Sequence, residues 1–300
     1  MREGEDGVIL PTGGFLAAAL RVGGYDRTIV AVEHGNLFDD EKKSIFRRAV
    51  RRLVRAMGAQ ATDVDVAVSD YTLERMRERV HAAKLVRIYN GIDLREYRPP
   101  HPGDLAGGQA RKNAVVAYGG RLIPGKGVEE LLRAFRLVRE STPCVLEIAG
   151  DGPEMQGLQE LSENIGIADS VTFLGTVQNM AAFWRRCQFA VVPSNGWTES
   201  FCMSAAEAMA CGRPVVAVNR GALPEVVVDG ESGTLCKAGD VLEIAEAIKR
   251  YLRNDALRIA HGAGARKRCE QLFGIEVCAS QYIDLFEGKR ATATSTRRLQ

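Results

Sequence analysis

Ala114-Val-Val-Ala-Tyr-Gly-Gly-Arg-Leu-Ile-Pro-Gly-Lys-Gly-Val128 decides the fold. Its apolar opening reads as a buried parallel strand, glycines and a proline break it, and a helical stretch follows over about 128–140. Glycines let a backbone approach an anion, and a helix start supplies free N–H groups and a favourable dipole. Arg121 and Lys126 place a cation at each end of the loop, with Gly120 between strand and turn. Strand, glycines and both cations together point to phosphate binding; an ordinary turn with solvated bases is the alternative. Gly120-x4-Gly125-Lys126 approaches a nucleoside triphosphatase loop, but Gly127 stands where Ser or Thr must hold magnesium.

The same strand–loop–helix grammar extends in both directions. Upstream, apolar runs at 7–10, 28–32, 64–68 and 85–89 alternate with helical stretches at about 15–22, 41–57 and 71–81. Proline and glycine crowd residues 99–113, which marks a linker between a first unit, 1–98, and a second, 114–274. Downstream, strands near 114–118, 144–149, 170–174, 188–192, 214–218 and 233–236 are separated by helices at about 128–140, 153–165, 179–186 and 202–211. Helical stretches at about 240–252, 255–271 and 276–287 follow, the last within a closing segment 275–287, and a small polar tail, 288–300, is expected to be disordered. Repeated β-α units predict two doubly wound parallel sheets, with ligands beyond the carboxyl ends of the strands.

Composition narrows the classes. The 40 Lys and Arg against 38 Asp and Glu leave a formal charge of +2, which excludes a strongly basic nucleic-acid binder. With 46% hydrophobic and 26% charged residues the chain reads as globular and soluble. No apolar run approaches the ~20 residues of a bilayer span, and acids stand where a signal peptide would carry bases. The seven cysteines are scattered and none forms Cys-x-x-Cys, so a reducing cytoplasm is expected and no cysteine-built zinc site.

A second constellation is Pro193-Ser-Asn-Gly-Trp-Thr-Glu-Ser-Phe-Cys-Met-Ser-Ala-Ala-Glu207. Glu199 falls in a loop after a strand, and Glu207 falls in the next helix, which is small or apolar nearly all round. An ionised carboxylate there needs hydrogen-bond donors, and a diol gives two; backbone amides or a neighbouring Arg would serve equally. Gly150-Asp-Gly152 begins a dinucleotide fingerprint, but the next glycine is Gly157 and the following strand ends in Gly175 rather than an acid, so an NAD enzyme is disfavoured. Asp63-Val-Asp65 has the form of a metal-binding pair, yet it opens a strand, and two exposed acids at a strand start is the better reading. The stretch 42–55 holds seven bases and no acid around an apolar face. It reads as a core-packed helix with a solvated side, or as a surface for anionic lipid or a lipid-linked acceptor, which would put the protein at the inner face of the membrane.

Gly119-Gly-Arg121 with Lys126, Ala149-Gly-Asp-Gly-Pro-Glu154, Val171-x-Phe-Leu-Gly175, Glu199-x7-Glu207 and Gly221-Ala-Leu-Pro-Glu225 before Asp229-Gly230 resemble, in order, the motifs of family 4 retaining glycosyltransferases. The resemblance implies the α/β GT-B architecture, two Rossmann-like domains facing a cleft, with a nucleotide-sugar donor and a hydroxyl acceptor (saccharide, lipid-linked or natural product). It implies that Arg121 and Lys126 hold the donor diphosphate, Glu199 meets the transferred sugar and Glu207 the ribose. Val177 would line the base, the amides of Phe201, Cys202 and Met203 would point at phosphate or sugar, and no cofactor or metal is expected. Cys202 replaces the family's glycine, and its side chain would crowd the sugar or narrow which sugar fits. Val30-Ala-Val-Glu-His-Gly35 matches the family's strand ending in His, so His34 would approach the donor sugar. The strand at residue 8 resembles a middle strand of the family's acceptor-side domain, so 1–98 reads as a shortened first domain with an exposed sheet edge. A truncated chain, a trimmed enzyme, or a half supplied by another copy or a partner subunit would each account for it. The rival function is a nucleotide-sugar-binding protein or subunit without transfer activity of its own.

Overall fold

The computed structural model describes residues 7–10, 14–35, 61–77, 85–101 and 114–288. The expected basic helix at 41–57, most of the linker at 99–113 and nearly all of the tail lie outside the described residues. The chain divides into two compact units, Met1–Gly91 with Glu276–Gln300, and Ile92–Ile275.

In the first unit, β1 (Gly7–Leu10), β2 (Thr28–Glu33), β3 (Val64–Ala67) and β4 (Leu85–Arg87) form a parallel sheet in the order β1-β2-β3-β4. Helices α1 (Gly14–Val22) and α2 (Asp70–Arg77) follow β1 and β3. Ile29 to Val32 of β2 are buried, whereas β1, at the end of the order, exposes Gly7 and Ile9, as expected of an edge. Asp63 carries no metal-site geometry: its Oδ2 accepts from Arg21 and from the Ile29 amide, tying α1, β2 and the start of β3 together. The expectation of two exposed acids is corrected to one stapling carboxylate and one, Asp65, that accepts from Thr62 at 3.1 Å.

The second unit contains β5 (Ala114–Gly119), α3 (Val128–Arg139), β6 (Cys144–Ala149), α4 (Met155–Asn164), β7 (Val171–Gly175), α5 (Met180–Arg186) and β8 (Phe189–Val192). Then come α6 (Met203–Ala210), β9 (Val215–Val218), α7 (Leu223–Val226), β10 (Gly233–Cys236), α8 (Val241–Arg253) and α9 (Asp255–Arg268). Its six parallel strands run β10-β9-β8-β5-β6-β7, so the order reverses between β5 and β8. That reversal is the switch point at which doubly wound sheets open a crevice. Strands β8 and β9 are buried end to end, and Trp184, Phe183, Phe135 and Phe189 fill the space under the helices.

Two elements differ from the sequence expectation. The stretch 255–271 is not one helix: α9 stops at Arg268 and a π-helix covers Cys269–Phe273. The wider turn carries the buried Phe273 edge-on to Phe201, with ring centroids 5.2 Å apart. Short α7, with Pro224 in its first turn, was not predicted. The final helix α10 (Ile275–Phe286) returns to the first unit, where a Cβ on Gly7 would lie 2.3 Å from the Phe286 ring.

Candidate active site

The loops after β5 and β8 flank the switch point, and they carry the two constellations read from the sequence. They touch along their backbones. The Gly125 carbonyl accepts from the amides of Gly196 (3.0 Å) and Trp197 (2.8 Å). Gly125 (φ 86°) and Gly127 (φ 75°) sit in the left-handed region, and a Cβ would come 2.6 Å from the Trp197 nitrogen and 2.0 Å from the Pro193 carbonyl oxygen respectively. These glycines therefore serve the approach of one loop to the other. Gly120 commits its own amide to the Ala149 carbonyl at 2.9 Å, so what it offers a ligand is a bare Cα. The Ala149–Glu154 motif holds the same loop from the other side: the Leu122 amide donates to the Asp151 carbonyl and the Glu154 amide to the Leu122 carbonyl.

The charged side chains meet at this junction. Lys126 Nζ donates to Glu199 Oε1 at 2.7 Å, and the Ser194 hydroxyl donates to the same oxygen at 2.7 Å. The pair is buried, with side-chain exposures of 14% and 9%. Arg121 is exposed, and its guanidinium carbon lies 5.2 Å from the centroid of the Trp197 ring; Lys126 Nζ lies 5.3 Å from the same centroid.

Glu207, on α6, accepts from Trp184 Nε1 at 3.1 Å. Burial pushes its carboxyl above the usual range, the indole hydrogen bond opposes this, and the charge of Glu96 adds to it. The donor that the sequence left open is thus a neutral indole. The same indole lies against Gly119, where a Cβ would come within 2.6 Å of the ring, so Trp184 links the end of β5 to Glu207.

Helix α6 starts at Met203 with no side-chain cap, leaving its first amides and the positive end of its dipole uncapped. Phe201 is buried against Phe273, Met203 is exposed, and Cys202 between them has φ 86°, the positive value found at a non-glycine residue among those described. Cys202 is 8% exposed, and its Sγ lies 3.5 Å from the Ser204 hydroxyl. Burial, helped by the Glu199 charge, pushes its thiol up to about 12, so it is a neutral packing group at physiological pH. Val177 is half-buried two residues beyond β7, in a loop whose Gly175 carbonyl accepts from the Gly150 amide at 2.7 Å. His34 is exposed at the end of β2, in the other unit. The sequence did not single out Trp184 and Trp197, whose partners lie on other elements, or Ser194, which meets Glu199 within its own loop. Among the described residues no group of three or more His, Cys, Asp or Glu is placed to hold a metal, and no helix is long and apolar enough to cross a membrane.

Two loops at the switch point of a doubly wound sheet, with Arg121 and Lys126 on one and Glu199 on the other, define an α/β protein with a charged site at its sheet crevice. The family model described as glycosyl transferases group 1 matches residues 106–268, more than half of the chain, and that of glycosyltransferase family 4 matches residues 9–96. The chain belongs to the glycosyl transferases group 1 family. It is 30% identical over 241 residues to N-acetyl-alpha-D-glucosaminyl L-malate synthase of Bacillus anthracis, covering 79% of this chain and 62% of that protein. It is 34% identical over 228 residues to the D-inositol 3-phosphate glycosyltransferase of Thermomonospora curvata, covering 69% and 52%. The chain thus spans about half to three fifths of the length of these relatives. Among solved structures, sucrose-phosphate synthase of Thermosynechococcus elongatus superposes with a TM-score of 0.79 at 25% identity over 92% of this chain and 71% of that one. Anabaena HepE in complex with UDP-glucose gives 0.81 at 24% over 94% and 79%. The fold is that of these GT-B glycosyltransferases.

Proposed function

We propose that this protein transfers a sugar, with retention of anomeric configuration, from a UDP- or GDP-sugar to a hydroxyl acceptor without a metal ion. The observation that carries the reading is the junction of Arg121, Lys126 and Glu199 at the β5–β8 switch point, with Glu207 one indole away. Arg121 and Lys126 hold the donor diphosphate, Glu199 the sugar hydroxyls, and Glu207 the ribose diol, whose two donors satisfy a carboxylate that burial otherwise disfavours. As the bond from the anomeric carbon to the leaving phosphate oxygen breaks, charge grows on the diphosphate, facing both cations and the leading amides of α6. The acceptor oxygen bonds to the same face, and its proton passes to the leaving phosphate. Loss of one such stabilising group costs turnover about 10²–10³-fold.

UDP, present in a solved complex of Anabaena HepE, is the first probe. A thermal-shift screen of nucleotide-sugars tests the reading: the matching donor raises the melting temperature by mass action, and a flat response to every UDP- and GDP-sugar contradicts it. A second reading, donor binding without transfer by this chain alone, is favoured by its span of 62% and 52% of two relatives. Saturable donor binding with no sugar released to any hydroxyl acceptor would select it.

A further inference from the structure

We propose that Trp197 is a positioning residue of the donor site, its ring holding the Arg121 guanidinium, and beside it the Lys126 ammonium, where the diphosphate is received. The inference rests on the donor-site reading above and names a residue that reading does not use. The two cations differ in their partners. Lys126 is neutralised by Glu199 at 2.7 Å, whereas Arg121 pairs with no carboxylate among the described residues and has the Trp197 ring 5.2 Å from its guanidinium carbon. Both cations fall within the ~6 Å over which a ring quadrupole attracts a cation.

A ring differs from a carboxylate as a holder. It attracts the cation without cancelling its net charge, so Arg121 keeps its positive charge and fork of donors for a phosphate while losing some freedom beforehand. The ring is itself registered on the cation-bearing loop. The Trp197 amide donates to the Gly125 carbonyl at 2.8 Å, and Gly125 lacks the Cβ that would sit 2.6 Å from that nitrogen. The neighbouring Asn195 side-chain Nδ2 donates to Glu130 Oε1 on α3, which fixes the same loop from a second point. Trp197 therefore belongs to the β8 loop and positions the side chains of the β5 loop.

The test is calorimetric titration of UDP into the full chain and into Trp197→Leu, Trp197→Phe, Arg121→Ala and the Trp197→Leu/Arg121→Ala double variant. Trp197→Leu is expected to weaken UDP about 3- to 30-fold, the range a cation–ring contact supports, while Trp197→Phe recovers most of the loss. In the Arg121→Ala background the leucine change is expected to cost less than twofold, a coupling that a merely structural role does not produce. Unaltered affinity in Trp197→Leu, or an equal loss in both backgrounds, overturns the proposal. Should the leucine variant fail to fold, a tetrafluorinated tryptophan at position 197 keeps shape and removes the quadrupole; binding equal to wild type then overturns it. Absence of UDP binding by the wild-type chain refutes the donor-site reading first and this inference with it, whereas wild-type binding with an indifferent Trp197 refutes this inference alone.

Discussion

Glu207 is a carboxylate that the protein holds where only one hydrogen-bond donor, the Trp184 indole, is recorded for it among the described residues. Its folded pKa is raised above the unfolded value, so its contribution to stability is present below the unfolded pKa and lost as pH rises through the folded one. Above the folded pKa the ionised group destabilises the empty site. Glu207→Gln is therefore expected to raise the melting temperature of the ligand-free protein while weakening UDP binding; a lowered melting temperature or unchanged affinity would refute the ribose role. Lys126 behaves in the opposite way. Removing it leaves Glu199 buried with Ser194 alone, so Lys126→Ala is expected to cost about 3–5 kcal/mol of stability besides its loss of turnover. Adding Glu199→Gln should restore the melting temperature and leave turnover low, which separates charge burial from catalysis. Cys202 holds φ 86°, a conformation costing a non-glycine residue about 1–2 kcal/mol, so Cys202→Gly should stabilise the chain by about that amount in denaturant titrations.

Elements explain which of these contacts could be read in advance. The strands and helices around the β5 loop were legible because each apolar run is short and the helices after β5 and β6 follow glycine punctuation: β5, β6 and those helices fall within a residue or two of expectation. The two constellations were legible as loops for the same reason. That Gly125 and Gly127 serve loop contact was not, since Pro193, Gly196 and Trp197 lie about seventy residues on and no local rule joins them. The π-helix at Cys269–Phe273 was hidden too, because it arises from packing Phe273 on Phe201 rather than from propensity. A further buried contact joins β10, α8 and α9: Thr234 donates to the Tyr251 hydroxyl, which bonds His261 Nδ1 at 2.8 Å. Burial and the nearby Arg250 depress the His261 pKa against the pull of Asp229. A depressed histidine gives stability that is complete above the unfolded pKa and lost as pH falls through the folded one. Melting temperature is thus expected to drop as pH falls below about 6.5, and His261→Gln should flatten that dependence.

At the scale of the whole molecule, the groups proposed to hold the nucleotide all lie in Ile92–Ile275, whereas His34 lies in the other unit. His34→Ala is accordingly expected to leave UDP affinity within about twofold, as for a site remote from the titrated one. The most direct measurement of the central claim is calorimetric titration of UDP, in the presence of EDTA, into the wild-type protein and Arg121→Ala. Saturable metal-free binding is expected, weakened by an order of magnitude or more in Arg121→Ala. No binding, binding only with divalent metal, or equal affinity for the two proteins would contradict a diphosphate held by the β5–β8 loops.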